Sequence, residues 1–202
     1  AYLVGGAIVS SIISFNEGLV ESRIRTGEIV SDVMKPFNFP VHLLFRGIGE
    51  SALRFAVVGA PTFLLVTVVY KVPLPQTADL LRFLPCLLLA FLLNFCISLP
   101  FWLISFWTVE ASALNNFKGI MTMLFAGRLV PIWFFPAWLA NIAYLLPFQG
   151  LYYLPLSIYV DAPNTPGLAI VLAIQGVWIV GFLFVGWAMW RAAFRRLVVQ
   201  GG

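Results

Sequence analysis

From Phe83 to Val109 the chain runs for 27 residues without a charged side chain, and that run constrains everything else. As a helix rising ~1.5 Å per residue it is about 40 Å long, more than the ~30 Å hydrocarbon core of a bilayer. Composition points the same way. Of 202 residues 61% are hydrophobic and 10% charged, against ~45–50% and ~25% in soluble globular domains. A chain this short cannot bury so much apolar surface in its own interior, so lipid must solvate part of it.

Four further apolar stretches accompany the first. Residues 1–16 carry no charge, and the chain opens inside this run with no basic cluster ahead of it. That reads as a helix cut at its N-terminus and not as a signal peptide. Its Gly6, Ser10 and Ser14 recur every fourth position as a close-packing face. Residues 55–70 are too few to span, which places the start of that helix earlier, near Pro40, a good first-turn residue. Spans are also expected over 112–130 and 167–190. The fold class is therefore an all-α integral membrane protein, with about five spanning helices in one domain over 1–202.

Between the spans lie two unusual segments. Residues 17–54 hold half of the charged residues and the only histidine, and so lie in water or at the interface. Within them, 29, 30, 33 and 34 are apolar while 28, 31, 32 and 35 are polar, which makes a short amphipathic helix ended by Pro36. It either lies on the leaflet or is gripped by a soluble partner. His42, Arg46, Glu50 and Arg54 then form a stripe at intervals of four, read as a solvated face on the cytosolic overhang of the next span. The second segment, 131–165, is aromatic and broken by Pro131, Pro136, Pro147 and Pro155. Prolines this frequent forbid one straight helix and leave short pieces in the outer leaflet. Phe134, Phe135 and Trp138 either plug an outer gate or form an aromatic belt. Arg128 is placed to hold the last carbonyls of the preceding helix.

With 17–54 inside, nine of twelve basic residues are cytoplasmic and three, Lys71, Arg82 and Arg128, lie outside. Asn94, Ser98 and Trp102 share a face of the 83–109 helix and serve either helix packing or a substrate path. No acidic residue sits deep in a span, which argues against proton coupling. The chain has no Gly-x-x-x-x-Gly-Lys-Ser/Thr loop for ATP and no His-Glu-x-x-His. One histidine and two distant cysteines, Cys86 and Cys96, make neither a metal site nor a disulfide. The basic residues form no nucleic-acid face.

Two stretches together carry a resemblance. Thr26-Gly27-Glu28-Ile29-Val30-Ser31-Asp32-Val33-Met34-Lys35-Pro36 resembles the cytoplasmic helix of ABC-2-type exporter permeases. Phe125-Ala126-Gly127-Arg128-Leu129-Val130-Pro131, with Phe135-Pro136-Ala137-Trp138-Leu139 and Leu146-Pro147-Phe148, is similar to the C-terminal signature of that family, in its daunorubicin-resistance-like bacterial subgroup. The resemblance implies six spanning helices, the first of them missing here. It also implies a multi-pass protein of the bacterial inner membrane that pairs with a second permease copy or paralogue. It further implies that the chain is no enzyme itself, that ATP and Mg bind a separate ATP-binding subunit, and that this chain carries no cofactor. Coupling is expected through Gly27, Glu28, Ile29, Asp32, Val33 and Lys35, and an outer gate at Arg128, Pro131, Phe134, Phe135 and Trp138. The dimer would alternate between inward- and outward-facing states. The competing readings are an uncoupled channel or scaffold, and a lipid-modifying membrane enzyme.

Overall fold

The structure, a computed structural model, describes residues 2–15, 18–26, 28, 38–71, 77–108, 112–162 and 165–200, with side chains at all of these except 3, 21, 24, 25, 70 and 194–200. Among them every regular element is helical: α1 (Tyr2–Ile13), α2 (Leu19–Arg25), α3 (Phe39–Arg54), α4 (Ala60–Tyr70), α5 (Thr77–Ile104), α6 (Ser112–Phe125), α7 (Ala137–Leu145), α8 (Tyr153–Tyr159) and α9 (Leu168–Gln200). A π turn, Phe55–Gly59, joins α3 to α4 without a break. Short 3-10 turns at Ile132–Phe134 and Pro147–Gly150 flank α7.

The local chemistry sets these limits. Asn38 is extended ahead of α3, and Pro40 sits in the first turn, where its missing N–H costs nothing. Lys71 ends α4 in the left-handed conformation at φ 49°. Asp79 lies in the first turn of α5, where the helix dipole favours an anion, 3.8 Å from Arg82. Pro85 and Pro100 stand inside α5. They are tolerated there because neighbouring protein surrounds the helix.

Among the described residues three helices are long and apolar enough to cross a membrane: Phe39–Val69, Thr77–Ile104 and Leu168–Ala193. The first expected span is the 12-residue α1, and the fourth is the 14-residue α6, shorter than the ~20 residues of a full crossing. The expected span continued to residue 130, through Ala126-Gly127-Arg128-Leu129-Val130. The helix in fact stops where Gly127 turns left-handed at φ 71°.

Helix α5 is the axis of the bundle. Of its most apolar window 72% is buried, against 6% for Phe39–Val69 and 11% for Leu168–Ala193, so α5 is wrapped by its own chain while the other two leave apolar surface exposed. Helix α9 packs along it closely because Gly186 admits the Leu99 side chain, where a Cβ would stand 2.7 Å from Leu99. Trp190 of α9 stacks on Phe39 at 5.2 Å between ring centroids and meets the edge of Phe106. Phe15 fills the space left by Gly47 and touches Phe91, Phe95 and Trp102. The face of α1 that packs against α8 centres on Gly5, against Leu156 and Tyr159. The expected Gly6, Ser10 and Ser14 face lies one position round the helix. Gly6 meets only Leu156, at van der Waals distance, and the two serines line a cleft instead. Cys86 and Cys96 are both free and buried.

Buried polar groups tie the layers together. The Gln175 side chain of α9 is fully enclosed, and its Nε2 donates to the carbonyls of Cys86 at 3.0 Å and Gly150 at 2.8 Å. One side chain thus joins α9, α5 and the turn that carries the Leu146-Pro147-Phe148 sequence.

Candidate functional site

The aromatic, proline-broken segment begins where α6 ends. The two carbonyls past the helix are taken by protein: Tyr153 N–H donates to Ala126 at 2.9 Å and the Tyr2 hydroxyl to Gly127 at 2.6 Å. Arg128 makes no hydrogen bond to α6 among the described residues, unlike the cap expected of it. Its guanidinium lies over the Tyr152 ring, 5.6 Å from the centroid. Pro131 leads into the Ile132–Phe134 turn, whose Ile132 is fully buried. Trp133 meets Tyr2 edge-on at 5.4 Å and tilts over Tyr153 at 5.7 Å. Phe135 is half-buried and packs against the smaller of the two buried clusters, with Ile132 and Tyr153. Phe134 and Trp138 point away from the chain, 72% and 66% exposed, so any passage they close lies outside a single protomer.

The second set, Asn94, Ser98 and Trp102, is buried within the bundle. Asn94 donates its side-chain N–H to the carbonyl of Ile13, the last residue of α1. Ser98 bonds the Asn94 carbonyl at 2.8 Å and accepts from the Lys118 ammonium. Trp102 packs edge-on against Phe15 at 5.7 Å. Asn94 also borders a cavity of about 460 Å³ together with Lys118, Thr122, Arg128 and Tyr152. Ser98 and Trp102 do not border it.

Two cations that the sequence leaves at the surface are drawn into contact with neighbouring helices. Lys118, assigned to the cytoplasm, is 3% exposed and packed against α5. Arg54, assigned to a solvated stripe beside Glu50, turns away from it. Glu50 pairs with Arg46 at 2.9 Å, while Arg54 donates to the Ser14 carbonyl at 3.2 Å, just past the end of α1. Arg54 and Arg128 line a second cavity of about 360 Å³ with Ser10, Ser11, Ser14 and Thr62. This cleft meets the first at Ser14 and Arg128. One signal was available in the sequence. Serines at 10, 11 and 14 in an otherwise apolar helix are polar groups in need of a polar neighbour.

Of the coupling residues, Gly27, Ile29, Asp32, Val33 and Lys35 lie outside the described residues, and Glu28 is exposed in a turn. Among the described residues no three His, Cys, Asp or Glu side chains gather as a metal site.

No curated protein and no solved structure matches the chain. A family match supplies the identity: the pattern described as ABC-2 family transporter protein fits residues 3–201, nearly the whole chain, and the protein belongs to that family.

Proposed function

We propose that the chain is the membrane subunit of an ATP-driven ABC-2-type exporter, working as a homo- or heterodimer on separate ATP-binding subunits in the bacterial inner membrane. The observation that carries this reading is the family match over residues 3–201, on a helical chain with three candidate spans. The absence of a phosphate-binding loop from the sequence supports placing ATP and Mg on another polypeptide. The amphipathic stretch at 27–36 supports a docking point for that subunit. Phe134 and Trp138, exposed at the outer cap, support a gate completed by a second copy. In this mechanism ATP closes the two nucleotide-binding subunits, the docking segments move with them, and the dimer switches between inward- and outward-facing states. The chain itself supplies no catalytic residue.

Co-expression with the ATP-binding subunit encoded beside it, followed by purification through a tag on this chain, tests the proposal. The expected result is a stoichiometric complex that hydrolyses ATP. A chain that purifies alone and leaves hydrolysis by that subunit unchanged would sink it.

A further inference from the structure

Arg54 and Arg128 come from distant parts of the sequence, yet both face the cleft of about 360 Å³ beside α1. Ser10, Ser14 and Thr62 bring hydroxyls to the same walls, and no carboxylate lines them among the described residues. Arg54 gives one N–H to the Ser14 carbonyl, and Arg128 rests on the Tyr152 ring. Neither guanidinium forms an ion pair among the described residues. The neighbouring cavity, with Lys118 in its wall, extends the cationic lining.

Position within a candidate span makes this arrangement unusual. Any run of about 20 residues, the length that crosses the hydrocarbon core, taken from the 31-residue helix Phe39–Val69 contains Arg54. A cation within a spanning segment is costly unless polar groups or a ligand meet it. The π turn Phe55–Gly59 follows Arg54 directly, and single π turns inside α-helices recur at functional sites. The cleft opens between α1 and a helix face whose Val57, Val58, Leu64 and Leu65 are exposed to lipid.

We propose that this cleft binds the phosphate of an anionic amphiphile that enters from the membrane. Two guanidiniums match phosphate geometry through forked, charge-assisted hydrogen bonds. The cleft volume is near the low end of ~300–1,000 Å³ for small-molecule sites, enough for a headgroup while the tail stays in lipid. The site needs neither ATP nor a partner subunit, so its test is independent of whether the chain works as an exporter.

The full chain is purified in mild detergent and offered equal amounts of phosphatidylglycerol and phosphatidylcholine with identical acyl chains. Retained lipid is then quantified by mass spectrometry. Phosphatidylglycerol should be retained about tenfold over phosphatidylcholine, whose phosphodiester is the same but whose choline cation is repelled by the two guanidiniums. That preference should vanish in Arg54→Gln/Arg128→Gln. It should persist in Arg191→Gln, whose guanidinium covers Trp187 at 3.9 Å, away from the cleft. Inorganic phosphate at the same concentration should leave the lipid in place. If the double variant does not purify as a single species, Arg128→Gln alone, at an exposed position, carries the comparison and should lower the preference. Undiminished preference in the purified variant would overturn the site, and displacement by inorganic phosphate would overturn the amphiphile.

Discussion

Replacing Gln175 with leucine should destabilise the bundle modestly, and replacing it with alanine should do so severely. Leucine removes the Nε2 bonds to Cys86 and Gly150. Interhelical hydrogen bonds in membranes are worth ~0.6 kcal/mol each, and a buried carbonyl left unpaired costs ~1–3 kcal/mol. The Gly150 carbonyl bears that cost, because the Cys86 carbonyl faces its own helix. One effect opposes the loss. Gln175 Oε1 is buried without a partner among the described residues, so its removal returns ~1 kcal/mol. The net loss for leucine is about 1–3 kcal/mol. Alanine loses the same bonds and also leaves a void at a fully enclosed position, and truncations of this kind cost ~2–5 kcal/mol. At ~2–4 °C per kcal/mol for a chain of this size, Tm should fall roughly 2–12 °C for leucine and a further 4 °C or more, roughly, for alanine. Cys86 and Cys96, both free and buried, provide the assay: a thiol-reactive fluorophore labels them only as the bundle opens on heating. A leucine variant as stable as the parent would show that these bonds hold nothing together. Equal Tm values for leucine and alanine would refute the packing half of the argument.

Two further outcomes test the topology and the cap. Single cysteines at Ser31 and Thr165, in a cysteine-free background, should label from opposite sides of the membrane, and labelling of both from outside the cell would overturn the orientation drawn from the basic residues. Phe135→Ala combined with Trp138→Ala should open a leak or alter which substrates are exported while insertion is kept. Transport, selectivity and leak at parental levels would reduce the aromatic cap to a membrane belt.

The long elements were legible because their signals are long. An uncharged run, a proline at a helix start or a run of four prolines each dictates a structural outcome over many residues, as at 83–109, Pro40 and 131–155. The helix from Phe39 was expected from the shortness of 55–70 alone. The interior contacts were not legible, because they depend on which side of a helix a residue occupies. Gly5 and Gly6 are equivalent in the sequence, yet only Gly5 faces Leu156 and Tyr159 closely. Lys118 reads as a cytosolic charge until α6 folds against α5 and brings its ammonium to Ser98. Glu50 has an arginine four residues away on either side, and the sequence does not say that Arg46 takes it while Arg54 turns to α1. Arg128 fits the role of a helix cap by position, but Tyr2, which contacts the turn from the far end of the sequence, already holds that carbonyl.

Coupling between this chain and a separate ATPase is the central claim. The most direct measurement is ATP-dependent transport by the complete complex reconstituted in liposomes, with and without charge reversal at Glu28 and Asp32 together with Gly27→Pro. Our account predicts that transport falls at least about tenfold, the effect of losing a coupling of roughly 1.4 kcal/mol or more, while the variant remains inserted and expressed at parental levels. Undiminished transport by the triple variant would contradict it and leave the 27–36 stretch as an interfacial anchor.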